Sequence, residues 1–165
     1  MTSTRGDESS REFADWVEPH LPAMARLAAR LVAPAERDDV VQEALVRAWR
    51  RRSTYDAARG APLPWLLAIV ADRARRHRTR SLPPTVELVE GSTDAVMPDL
   101  DLERAVAALS ARQRLAVDLY YFVGLDVATC AQVMGCADGT VKATLFQARE
   151  RLRQVLGDDF AGGVR

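Results

Sequence analysis

The sequence predicts an all-α fold: two small helical domains joined by a flexible acidic linker, the second domain containing a helix-turn-helix. Three observations lead there. Ala, Leu and Arg are abundant, aromatic residues make up only 6% of the 165, and runs of β-branched residues are lacking, so helix is favoured over sheet. Apolar residues recur at helical spacing on both sides of one interruption. That interruption holds Pro83, Pro84, Gly91 and Pro98 and keeps no helical period, as a linker does.

The expected boundaries are a first domain over 1–80, a linker over 81–101 and a second domain over 102–165. Formal charge is zero overall but unevenly spread. Residues 1–80 carry 15 Arg against 11 acids, residues 81–103 carry six acids and no base, and residues 104–165 carry eight bases against six acids. Two mildly basic blocks around an acidic strap suit a protein that touches nucleic acid twice and mimics it in between. Hydrophobic content of 48% with 28% charged residues excludes a disordered chain. No apolar stretch approaches the roughly 20 residues that span a bilayer, and MTSTRGDESS lacks the order of a secretion signal. A cytoplasmic protein without membrane insertion is expected.

The first domain reads as four helices. Ser9 and Glu12 have capping-box spacing and are expected to open the first. Pro22 sits in the first turn of a second helix that begins near Leu21, with Leu21, Met24, Ala28 and Leu31 inward. The third is expected over 37–51, with Val41, Leu45, Ala48 and Trp49 on the buried stripe. RSTYDAARGAP follows as a loop. A fourth starts near Leu63 with Trp65, Leu66 and Ile69 inward.

In the second domain, Leu102, Val106 and Leu109 mark one helix, and Ser110 with Gln113 forms a capping box for a helix ended by Gly124. Asp126 caps VATCAQVM, Gly135 stops it, CADG turns, and Thr140 opens a long helix to about Leu156. A short helix, a Gly-containing turn and a longer helix make a helix-turn-helix.

Three surfaces are candidates for binding. On the last helix Val141, Leu145, Ala148, Leu152 and Leu156 are spaced for burial, leaving Ala143, Phe146 and Gln147 outside with Lys142 at the margin. An outward Phe on a basic helix suits thymine methyl groups in a major groove, and glutamine suits adenine. On the fourth helix Arg73, Arg76, His77 and Arg80 share a face. Five Arg within residues 73–80 repel one another unless an anion lies nearby, so a phosphate-tracking face competes with a solvated one. On the third helix Asp39, Gln42, Glu43, Val46 and Arg50 lie opposite the buried stripe.

Three segments carry a family resemblance. DDVVQEALVRAWR resembles the segment with which sigma factors grip the clamp coiled-coil of RNA polymerase. WLLAIVADRARRH resembles the helix that engages the minus-ten promoter element, and LSARQRLAVDLYYFVGLDVATCAQVMGCADGTVKATLFQARERLRQVL resembles the domain that reads the minus-thirty-five element. Order and spacing match, and a chain this short resembles the extracytoplasmic-function (ECF) sigma factors. The resemblance implies a transcription initiation factor that binds core RNA polymerase, directs it to promoter DNA and helps to melt the duplex. It further implies an anti-sigma factor as partner and a linker that lies where RNA will run.

Carried onto this sequence, the resemblance gives polymerase contacts to Asp39, Gln42, Glu43 and Val46. It gives minus-ten contacts to Tyr55, Asp56, Arg59, Arg73, Arg76, His77 and Arg80, with the loop at Tyr55 capturing a flipped base. It gives minus-thirty-five contacts to Thr140, Lys142, Ala143, Phe146, Gln147 and Arg149. Two departures stand out. Asp72 replaces a common Asn, and Thr144 and Gln147 replace common arginines, so Thr144→Arg is expected to raise DNA affinity and Gln147→Arg to move one base preference from adenine to guanine.

No catalytic residue, metal or cofactor is expected. Cys130 and Cys136 have poor zinc spacing and read as free thiols acting as small hydrophobes, His20 and His77 are far apart, and no nucleophile elbow or phosphate loop is present. Two alternatives remain open: a stand-alone helix-turn-helix regulator, and a sigma-like interaction protein without initiation activity. Co-purification with core polymerase discriminates the first, and run-off transcription the second.

Overall fold

A computed structural model describes residues 3–81 and 100–157. All regular structure within them is helical, and the chain divides into two compact units, residues 1–84 and 85–165. The linker expected over 81–101 falls almost wholly outside the described residues.

The first unit contains α1 (Ser3–Val17), α2 (Leu21–Leu31), α3 (Arg37–Arg51) and α4 (Pro62–Ser81). Ser9 lies inside α1 rather than at its start, which corrects the expected capping box. Tertiary ring contacts anchor this helix: Phe13 meets Trp49 at 5.2 Å between centroids and Trp16 meets Trp65 at 6.1 Å. Pro22 falls in the first turn of α2 as expected. α4 packs on both α2 and α3, burying Met24, Leu27, Val40, Leu66, Leu67 and Val70 completely. Each such aliphatic side chain contributes roughly 1.5–3 kcal/mol.

The buried stripe of α3 runs through Val40, Ala44 and Ala48, not through Val41, Leu45 and Trp49, which flank it half-buried. Alanines at the contact line let α3 approach α4 closely, and the bulkier residues then close the sides of the seam. The helix is turned by about one residue from the expectation, yet Asp39, Gln42 and Val46 still face outward.

The second unit contains α5 (Leu100–Ala107), α6 (Ala111–Val117), α7 (Val127–Met134) and α8 (Asp138–Leu156). α8 is the organising helix, packed on α5, α6 and α7. On α5, Leu102 is exposed and Ala105 takes its place in the core. The Ser110–Gln113 capping box is formed in both directions, at 3.2 and 3.0 Å. After α6 the chain widens into a π-helical stretch, Asp118–Val123, and ends at Gly124 with φ +83°. Asp126 accepts the Thr129 backbone N–H at 2.7 Å and caps α7, which Gly135 ends at φ +62°. Both glycines take the left-handed conformation that a Cβ disfavours. α8 begins at Asp138, two residues before Thr140, because a carboxylate is favoured in the first turn of a helix.

Candidate polymerase and nucleic-acid interfaces

Burial of Val40, Ala44 and Ala48 fixes the rotation of α3 and leaves Asp39, Gln42, Val46 and Arg50 exposed, with Glu43 partly so. Val46 is 49% exposed, high for an apolar residue flanked by charge. Its neighbours line a groove of about 690 Å³ between α3 and α4, whose walls carry both signs: Asp39 and Glu43, but also Arg47, Arg50, Arg73 and Arg80.

The arginines of α4 do not form one uniform face. Asp72 supplies the anion that their crowding requires: it accepts from Arg73 at 3.1 Å, Arg75 at 2.8 Å and Arg76 at 3.1 Å. Burial alone would raise the Asp72 pKa, but hydrogen bonds from Arg75 and Arg73 and the charge of Arg76 outweigh it and hold it at about 2. His77 is turned toward α3, with Nε2 3.1 Å from a Glu43 carboxylate oxygen and Nδ1 3.9 Å from Glu36. Arg73 and Arg80 line the α3 groove with Asp39 and Glu43, whereas Arg76 is half-exposed. Sequence reading missed the triple pairing at Asp72. The i+3 and i+4 spacing of Arg75 and Arg76 from Asp72 was the available signal.

In the loop after α3, Tyr55 is held rather than free. Its ring lies 5.2 Å from Trp16 and 5.6 Å from Trp65 between centroids, and its hydroxyl donates to the Gly60 carbonyl at 2.9 Å. Asp56 accepts the Ala58 backbone N–H at 2.9 Å, shaping a single 3-10 turn. The Arg52 guanidinium sits 3.7 Å from the centre of a Trp49 ring, a cation–π contact. The side chain of Arg59 lies outside the described residues.

On α8, Thr140, Lys142, Ala143, Phe146, Gln147 and Arg149 are exposed, Phe146 by 58%. Thr144 is 7% exposed, and its hydroxyl donates to the Thr140 carbonyl at 2.7 Å. The expectation that Thr144 stands in the place of a DNA-facing arginine is therefore corrected: the position points into the unit. Phe146 and Gln147 border a shallow groove with Leu109, Ser110 and Gln113. Both cysteines are free, Cys130 buried and Cys136 partly so. Burial, helped by the Asp126 charge, pushes the Cys130 thiol up to about 11 and keeps it protonated. No cluster of metal-ligating side chains occurs among the described residues, and none of their helices is long and apolar enough to cross a membrane.

A helix-turn-helix in one unit and an open, mixed-charge face on the other are features of a DNA-directed regulatory protein. Comparison with known proteins makes this specific. The sigma-70 region 2 family model matches residues 16–81, and the sigma-70, region 4 model matches residues 99–152. Curated relatives include the ECF RNA polymerase sigma factor SigM of Mycobacterium tuberculosis, 34% identical over 83% of this chain and 71% of that protein. SigL of the same species is 33% identical over 84% and 85%, and the RNA polymerase sigma-E factor of Streptomyces coelicolor 32% over 88% and 86%. Among solved structures, the Bartonella quintana sigma factor RpoE, in complex with the anti-sigma factor NepR, superposes with a TM-score of 0.67 at 25% identity over 90% of this chain and 99% of that one. CnrH in complex with the cytosolic domain of CnrY gives 0.67 at 25% over 89% and 88%. The chain belongs to the extracytoplasmic-function sigma factors of the sigma-70 family, and it is a promoter-specific transcription initiation factor.

Proposed function

We propose that α3 contacts core RNA polymerase through Asp39, Gln42, Glu43 and Val46, that the Tyr55–Gly60 loop and Arg76 of α4 engage the minus-ten element, and that α8 reads the minus-thirty-five element through Lys142, Phe146, Gln147 and Arg149. Thr140 and Ala143 flank that reading edge. The carrying observation is the division of α8: Val141, Thr144, Leu145 and Ala148 are buried while this outer set is exposed. Such a helix can enter a major groove without disturbing its own core. The protein acts in the cytoplasm, has no catalytic centre of its own, and is held by an anti-sigma factor, in keeping with the complexes in which its structural neighbours were solved.

Reconstitution with core polymerase followed by mapping of transcription start sites tests the whole reading. Absence of any promoter-dependent start would leave a sigma-like interaction protein. A sharper test of α8 is Gln147→Arg in a binding screen over randomised minus-thirty-five sequences. Glutamine pairs with adenine and arginine with guanine, so one position should shift from adenine to guanine by about 1–3 kcal/mol. An unchanged preferred sequence would take Gln147 off the base edges.

Asp72 tempers the α4 arginines. Asp72→Asn should leave Arg75 and Arg76 less neutralised and steepen the salt dependence of promoter binding by about one unit in log–log slope. Its pKa of about 2 lies below an unfolded carboxyl value of about 3.9. The stabilisation from the ionised form is therefore fully present above about pH 4 and lost as pH falls through 2. Partial exposure limits it to about 1 kcal/mol. Urea unfolding of wild type and Asp72→Asn should differ at pH 6, with the difference shrinking from about pH 4 downward and vanishing only below pH 2; a difference that does not shrink over that range would point to another cause.

A further inference from the structure

We propose that His77 of α4 is a positioning residue for the polymerase contact: its protonated imidazole holds the Glu43 carboxylate against α4, and its neutral form releases that carboxylate to a cation of core RNA polymerase. The inference rests on the proposed polymerase role of Glu43 and adds its regulation. The His77 side chain is only 16% exposed, with Nε2 3.1 Å from a Glu43 carboxylate oxygen and Nδ1 3.9 Å from one of Glu36. Glu43 itself remains 41% exposed. The same carboxylate can therefore turn inward to the imidazole or outward to a partner.

The 3.1 Å contact is not an aligned hydrogen bond: Nε2 is buried and makes none. Its hold on Glu43 is chiefly the attraction of charge for charge, which needs the second ring proton. A neutral imidazole carries a single N–H and serves at most one of two carboxylates, whereas an imidazolium carries two and faces both. Both acids come from outside α4, Glu36 from the 3-10 turn Pro34–Glu36 and Glu43 from α3. Like charges stand one turn away on α4 itself, at Arg73 and Arg80, and Glu43 has Asp39 and Arg47 one turn away on α3. Histidine is the side chain whose charge ordinarily changes between pH 5 and 8, so this competition for Glu43 falls in the range in which the protein works.

The test measures the Kd of the full chain for core polymerase at pH 6 and pH 8, with circular dichroism at both values to confirm retained helix. Groups that titrate on the polymerase contribute equally to every variant and cancel in the comparison. The ratio of Kd at pH 6 to Kd at pH 8 should be about two- to fivefold larger for wild type than for His77→Gln, the range of a partly exposed ion pair. Glu43→Gln should show the same small ratio as His77→Gln. His20→Gln, at the only other histidine, should keep the wild-type ratio. His77→Arg, with a permanent charge, should bind weakly at both pH values, and His77→Gln should bind at both as wild type does at pH 8. A wild-type ratio in His77→Gln overturns the inference, as does equal weakening of His77→Gln and His77→Arg at both pH values, which is the mark of a merely structural side chain. Asp39→Lys with Glu43→Lys separates the two levels. If that variant loses the core while His77→Gln keeps the wild-type ratio, the α3 face stands and only this extension fails. If it keeps the core, the α3 assignment fails and this inference with it.

Discussion

Asp39→Lys combined with Glu43→Lys should lower affinity for core polymerase by about a hundredfold or more while leaving the helical circular dichroism signal unchanged. The size follows from charge complementarity: truncating or reversing buried interfacial charges costs about 2–5 kcal/mol, because each partner charge is left desolvated and unpaired. The two effects separate because the residues anchoring α3 are Val40, Ala44 and Ala48, whereas Asp39 is exposed. Asp39 lies in the first turn of α3, where a lysine in place of a carboxylate costs about 0.3–1 kcal/mol through the helix dipole, too little to unfold a helix anchored along its buried line. Glu43 asks for one control. Its carboxylate lies 3.1 Å from His77 Nε2, so Glu43→Gln, which keeps the shape and loses the charge, should fall between wild type and the reversal. Co-elution of the double variant with core polymerase at wild-type affinity would remove this face from the interface.

Thr144→Arg is expected to destabilise the second unit by about 3–5 kcal/mol, enough to abolish binding to the minus-thirty-five element. Family comparison at the level of sequence suggests the opposite, a gain in affinity from a restored arginine. The structure decides against it. Thr144 is 7% exposed, its hydroxyl bonds to the Thr140 carbonyl, and Val141, Leu145 and Ala148 are buried beside it. An arginine there either buries an unpaired guanidinium or forces its way out through packed side chains, and both cost several kcal/mol. Thr144→Val removes the hydroxyl at nearly constant volume and should cost about 1 kcal/mol, giving a folded reference. Thermal unfolding of the isolated variants in parallel with DNA binding would read the result. An arginine variant as stable as wild type, with higher DNA affinity, would show that α8 is turned differently.

Much of the fold was legible because its signals are local. The bounds of α3, the Ser110–Gln113 capping box, the Asp126 cap and the stops at Gly124 and Gly135 each depend on residues within four positions of one another. The exposed set on α8 was legible for the same reason, since Val141, Leu145 and Ala148 mark a helical stripe that leaves Phe146 and Gln147 outside. Local signals also misled where a competing contact was stronger. Ser9 and Glu12 have capping-box spacing, but ring contacts of Phe13 and Trp16 hold α1 in register beyond them.

By itself, the sequence determined that this protein is all-helical, that its last helices form a helix-turn-helix, and that three segments follow one another in sigma-factor order. Capping groups, left-handed glycines and helical periodicity act over a few residues, so they survive in the linear text. Only the tertiary structure decided the rotation of α3, the burial of Thr144 and the partners of the polar residues. The contact line of α3 is made by Val40, Ala44 and Ala48 while the larger Val41, Leu45 and Trp49 lie beside it, so hydrophobic contrast alone places its phase no better than to within one residue. The phase of α3 is set when Ala44 and Ala48 meet α4. The pairing of His77 with Glu43 and the sharing of one groove by Arg73 and Asp39 join residues some 34 positions apart. No periodicity in either segment encodes that meeting, because it exists only once α3 and α4 bury their common seam.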